Sequence, residues 1–109
     1  MKIKMTDAEI VDEVYKQANY INSLNTISYE LTSDVIELLK NLKRTKVVVC
    51  NVDTGDCVEG NLKYLKNKDV FSVQDCDDKN ESITFERDDI ERVYVDDMTD
   101  EINIRVCSK

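Results

Sequence analysis

Between Lys46 and Val95 apolar residues recur at every second position in short runs, and compact polar segments cut those runs apart. The breaks are Asp53-Thr54-Gly55, Lys66-Asn67-Lys68-Asp69, Asp77-Asp78-Lys79-Asn80 and Arg87-Asp88-Asp89. A period of two puts successive side chains on opposite faces, so each run reads as a half-buried strand and each break as a turn. The expected strands are 46–52, 56–66, 69–74, 82–86 and 91–95, with a sixth at 102–107 beyond the polar stretch 96–100. Gly60 lies inside the long second strand, where a glycine marks a bend or a close backbone approach. A small, strongly bent antiparallel sheet is the expected outcome.

Helical spacing dominates before Lys46. Thr6-Asp7-Ala8-Glu9 is a capping box, and Ile10, Val14, Ala18 and Ile21 follow it with Val11 alongside, predicting an amphipathic helix over 7–22. Ile27, Tyr29 and Leu31 alternate with polar residues, which fits either a short extended piece or a continued helix. A second helix is expected from Ser33 or Asp34. Its stripe is Val35, Leu38, Leu39 and Leu42, widened by Ile36, and Lys40, Lys43 and Arg44 complement its carboxyl end. The expected fold is therefore α+β: two N-terminal helices (1–45) followed by a small antiparallel β-barrel of five to six strands (46–109), in one domain.

Residues 33–95 resemble the Sm-like fold and related SH3-like barrels, in which a helix feeds a bent five-stranded sheet. The resemblance rests on Val-Ile-Glu-Leu-Leu-Lys-Asn-Leu, Lys-Val-Val-Val, Asp-Thr-Gly-Asp-Cys-Val-Glu-Gly-Asn-Leu-Lys and the closing Phe85-Glu86-Arg87-Asp88-Asp89-Ile90-Glu91-Arg92-Val93. It implies nucleotide or RNA contact at Tyr64, Asn67, Lys68 and Arg87, and oligomers joined through edge strands. The loops depart from the pattern of RNA-binding members, because 66–69 lacks their Asp-apolar-Asn arrangement and Arg87 is followed by Asp88 rather than glycine.

Charge separates the two halves. The net charge is −8; residues 1–45 carry 6 basic and 7 acidic groups, and residues 46–109 carry 9 and 16. From Asp75 to Glu101 there are 12 acids against Lys79, Arg87 and Arg92, a field that repels phosphate backbones. Nucleic acid is disfavoured as a partner unless Lys40, Lys43, Arg44 and Lys46 converge with Lys63, Lys66 and Lys68 on a separate face. The acids Asp75, Asp77, Asp78, Glu81, Asp88, Asp89, Asp96 and Asp97 read either as a solvated surface or as a face complementary to a basic protein.

Chemistry finds little support. Histidine is absent, so Cys-His and Ser-His pairs are excluded within the chain, and the acid pairs fall in expected turns. Gly55 and Gly60 are the only glycines, too few for a phosphate loop. Cys50, Cys57, Cys76 and Cys107 lack metal-ligand spacing, and no cofactor is expected. Free thiols are the default, although Cys50 and Cys57 flank a hairpin turn and can pair across it on oxidation. No run of about 18 apolar residues and no signal peptide is found, so a cytoplasmic location is expected, with no membrane contact. A composition rich in Lys, Asn, Asp and Ile without His, Trp or Pro fits an AT-rich bacterial or phage genome.

Three readings result. The first is a non-enzymatic acidic interaction module of the kind seen in phage-borne inhibitors and immunity proteins, blocking a basic nucleic-acid-binding surface of a partner. The second is an Sm-like oligomeric RNA- or nucleotide-binding protein. The third is a structural adaptor docked through its N-terminal helix.

Overall fold

The computed structural model describes residues 5–19, 33–96 and 98–107. The segment with Ile27, Tyr29 and Leu31 lies outside the described residues, as does Asp97. Helix α1, Asp7–Val14, begins on the expected capping box: Thr6 Oγ1 accepts from the Glu9 amide at 3.3 Å, and Glu9 Oε1 accepts from the Thr6 amide at 3.0 Å. The regular helix is half the expected length, because the chain widens into a π turn over Tyr15–Asn19. Helix α2, Ser33–Lys40, also ends early. Its last turn tightens through Asn41 N to Leu38 O (3.1 Å) and Leu42 N to Leu39 O (3.3 Å). The Asp7 carboxylate then accepts from the amides of Lys43 and Arg44 and from the Thr45 hydroxyl, tying α1 to the entry of the sheet.

Six strands follow: β1 Lys46–Asn51, β2 Cys57–Leu65, β3 Val70–Gln74, β4 Ser82–Phe85, β5 Ile90–Val95 and β6 Ile102–Val106. They form one mixed sheet in the order β4-β3-β2-β1-β6-β5. The antiparallel barrel is corrected on two counts. First, β6 runs parallel to β1, with Val47 opposite Ile102 and Val49 opposite Ile104. Second, the ladder stops at β4 and β5, which are the open edges of the sheet. The physical reason is the slot taken by β6. Its Ile-Asn-Ile-Arg-Val pattern buries Ile102, Ile104 and Val106, and it enters between β1 and β5 rather than adding to the outside. Alternation specifies which face of a strand is buried, not which strand lies beside it.

The sheet is curled all the same. Its two edge strands are consecutive in the chain and joined only through the 3₁₀ turn Arg87–Asp89. Strand β2 makes the corner: residues 57–61 pair with β1, whereas residues 62–65 pair with β3. Gly60 sits at this transition, and a Cβ there would lie 1.9 Å from the Gln74 carbonyl oxygen, so only glycine lets the strands cross so closely.

One apolar core fills the concave side. Phe71 stacks on Phe85 at a centroid separation of 5.5 Å and meets Tyr64 at 5.2 Å. Val47, Val49, Leu62, Val73, Val93 and Ile104 surround them, and Ile10, Val14, Val35 and Leu39 cover the core from the helices. Helix α1 and the π turn lie against β5, and α2 against β2. Cys50 and Cys57 face each other at the end of the β1–β2 ladder, with Cα atoms 4.1 Å apart, and form a disulfide; Cys76 and Cys107 are free thiols. Among the described residues, no helix is long and apolar enough to cross a membrane.

Candidate functional site

The acidic residues singled out in the sequence fall in three separate turns. Asp75, Asp77, Asp78 and Glu81 belong to the β3–β4 loop, Asp88 and Asp89 to the 3₁₀ turn, and Asp96 to the β5–β6 loop. The first two groups lie at opposite ends of β4, and the last two at opposite ends of β5. At about 3.3 Å per residue these strands separate them by roughly 13 and 20 Å. The acids therefore form a distributed surface rather than one cluster.

Several of these carboxylates build the loops that carry them. Asp75 accepts from the amides of Glu59 (3.1 Å), Asp77 (3.1 Å) and Asp78 (2.9 Å). These backbone donors, the Glu59 amide first, hold its carboxyl below the ordinary value of 3.8. Asp78 accepts from the Asn80 amide, Asp89 from Glu86 and Asp96 from Met98. Such turns order themselves through their own side chains. The side chains of Asp77, Glu81 and Asp88 remain exposed, and none of the three carboxylates makes a hydrogen bond or ion pair to a described residue. The two ion pairs between described residues, Lys16–Asp12 and Lys40–Glu37, both lie on the helices.

Of the four residues associated with nucleotide contact, Lys68 and Arg87 come together on a cleft of about 310 Å³ between the β2–β3 and β4–β5 turns. Tyr64 reaches its wall, because its hydroxyl donates to Asp69. That bond keeps the phenol protonated above its ordinary range. Lys40 Nζ stands 4.8 Å from the Tyr64 ring centroid. Asn67 does not line the cleft. Asp69, Glu86 and Asp88 do, so three carboxylates oppose two cations there.

A larger groove was missed in the sequence. It has a volume of about 450 Å³ and lies on the outer face of β1 to β4, walled by Lys46, Lys63 and Lys79 with Asn61, Ser72 and Ser82. Register explains the convergence. Lys46 opposes Asn61, Lys63 lies two residues beyond Asn61 and opposes Ser72, and all face away from the core between buried Val47 and Leu62. Lys46 and Lys63 belong to different basic clusters along the chain, and Lys79 stands alone among acids. The parity of the alternating strands was the signal that could have united the first two. Glu101 is pushed above its ordinary 4.5, first by its hydrogen bond to the Glu59 carboxyl, and Lys46 partly offsets this.

Among the described residues, no three His, Cys, Asp or Glu side chains are grouped to hold a metal ion. Comparison with protein-family models, curated proteins and solved structures finds no match to this chain.

Proposed function

We propose that this chain is a non-enzymatic binding module whose acidic turns dock on a basic protein surface, in the manner of an inhibitor that occupies a nucleic-acid-binding groove. The observation that carries this reading is the exposed charge of Asp77, Glu81 and Asp88, whose carboxylates pair with no described residue, on turns fixed by Asp75, Asp78 and Asp89. Like charges held on ordered loops repel one another, and a cationic partner removes that cost while steering its own approach. The competing nucleotide reading draws on the cleft between Lys68 and Arg87, but its excess of carboxylates disfavours a polyanion there.

The test is affinity capture from nuclease-treated host lysate at low and high salt, with wild type and an Asp77→Asn, Glu81→Gln, Asp88→Asn variant. These three side chains make no hydrogen bond to a described residue, so the variant should melt like wild type. A basic protein retained at low salt, released at high salt and lost by the variant supports the reading. Equal retention by both forms, or retention abolished by nuclease, overturns it.

A further inference from the structure

The lysine-walled groove on the outer face of β1 to β4 borders one acidic turn, the β3–β4 loop, which contributes Asp75 and Lys79 to its wall. Three lysines line it, and no carboxylate of the described residues lies within ion-pair distance of any of them. The one acid of the described residues in the wall, Asp75, already accepts three backbone amides. In a protein of net charge −8, this is a local concentration of positive charge.

The position of each lysine is set by the fold. Lys46 opposes Asn61 at the end of the β1–β2 ladder, and Lys63 follows Asn61 by two residues on the same face of β2. Lys79 is held over the groove because Gln74 Nε2 donates to its carbonyl at 2.7 Å. Gln74 is itself paired with Ser82 across β3 and β4. The loop bearing Lys79 is closed further by Asp75 N to Glu81 O at 2.9 Å and Glu81 N to Asp78 O at 3.0 Å. Ser72 and Ser82 add hydroxyl donors, and Asn61 an amide, between the three cations.

Three cations with interleaved neutral donors match an anion of several charges and many acceptor oxygens. Among the described residues no aromatic side chain lines the groove, so none of them stacks a base or a sugar ring there. The surrounding net negative field opposes a long polyanion laid across the surface, but acts less on a short one held between the lysines. We propose that this groove binds a compact polyphosphate anion, whether free or as the phosphate tail of a nucleotide, with Lys46, Lys63 and Lys79 as its charge partners. This site is independent of the docking reading above; either can fail without the other.

The experiment is an amide-shift titration of the isotope-labelled full chain in low salt, with sodium triphosphate, ATP and adenosine as separate probes. Saturable binding of triphosphate is expected with a Kd of about 0.1–1 mM, in line with the efficiency of small ligands. Shifts should centre on Asn61, Ser72, Lys79 and Ser82. Lys63→Gln and Lys79→Gln should each weaken binding about three- to tenfold, since charge-assisted bonds at an exposed site are discounted by solvent. Lys66→Gln with Lys68→Gln should leave the Kd unchanged. Equal affinity for triphosphate and ATP identifies the phosphates as the whole ligand, and a tenfold gain for ATP identifies a nucleotide; both support the site. No saturation by 10 mM, shifts centred elsewhere, equal loss in the Lys66/Lys68 variant, or adenosine binding in the groove would overturn it (about tenfold beyond the expected Kd being the limit set).

Discussion

Replacing Gly60 by alanine tests the corner of the sheet directly. The added Cβ would meet the Gln74 carbonyl oxygen at 1.9 Å, against an ordinary contact of 3.4 Å or more, so β2 and β3 must part by about 1.5 Å. The obstacle is backbone, not a side chain that can swing away. Parting the strands breaks the bond from Cys76 N to Glu59 O, now 2.9 Å, and strains the adjoining pair at Leu62 and Val73. Those losses cost about 1 kcal/mol each. Forced expansion of the packed interior, where Val47 and Val73 are fully buried, adds about 1–3 kcal/mol. Restricting the unfolded chain favours alanine by about 0.4–1 kcal/mol. The net expectation is a loss of about 3 kcal/mol, read by urea denaturation with far-UV dichroism as a midpoint lowered by roughly 2 M. The unfolded-state effect alone would stabilise the variant, so the sign is diagnostic. A loss below about 1 kcal/mol, or any gain, refutes the close crossing.

Three further outcomes are expected from equilibrium unfolding. Phe71→Ala removes the ring between Tyr64 and Phe85 and should cost about 3–5 kcal/mol; a cost under about 2 would mean that the stack is not the centre of the core. Asp7→Ala loses acceptance from Lys43, Arg44 and Thr45, about 1–2 kcal/mol at neutral pH after allowing for solvent exposure. Burial raises the Asp7 carboxyl, but the Arg44 amide, the Thr45 hydroxyl and the Lys43 amide outweigh it and hold it below the ordinary 3.8. Its contribution is therefore present above that value and vanishes as pH falls through the lower folded value, so wild type and variant should converge in acid and not in base. Cys50→Ala with Cys57→Ala should cost at most about 2.5 kcal/mol, because the closed loop is short; wild type with a reductant should match it, and a reductant should leave the variant unchanged.

Strand positions were legible because alternation is a local property: Val47, Val49, Val58, Leu62, Phe71 and Val73 all point inward as their parity requires. The capping box of α1 was legible for the same reason. The neighbour of β6 was not, since its pattern suits a slot beside β1 as well as an outer edge, and that choice belongs to the whole sheet. Helix ends were misjudged where tertiary bonds intervene, as at Lys43 and Arg44, whose amides turn to Asp7 instead of to the helix. The acidic turns could be named in sequence, but not the division between carboxylates that hold a turn and those left to solvent. The groove needed register, because Lys46, Lys63 and Lys79 are neighbours only once β1 to β4 are paired.

The place of β6 between β1 and β5 carries a consequence for the order of events in folding. Until Ile102–Val106 has left the ribosome, β1 lacks its parallel neighbour and β5 has no strand to pair with. The hairpins of β1 to β4 can form early from contacts close in sequence, whereas the middle of the sheet joins segments about fifty residues apart. Such long loops must close before their contacts reward them, which slows the search and leaves β1 and β5 exposed to other chains meanwhile. The slow step in refolding should therefore be the insertion of β6, and substitutions at Ile102 or Ile104 should change its rate more than those in the β1–β2 turn.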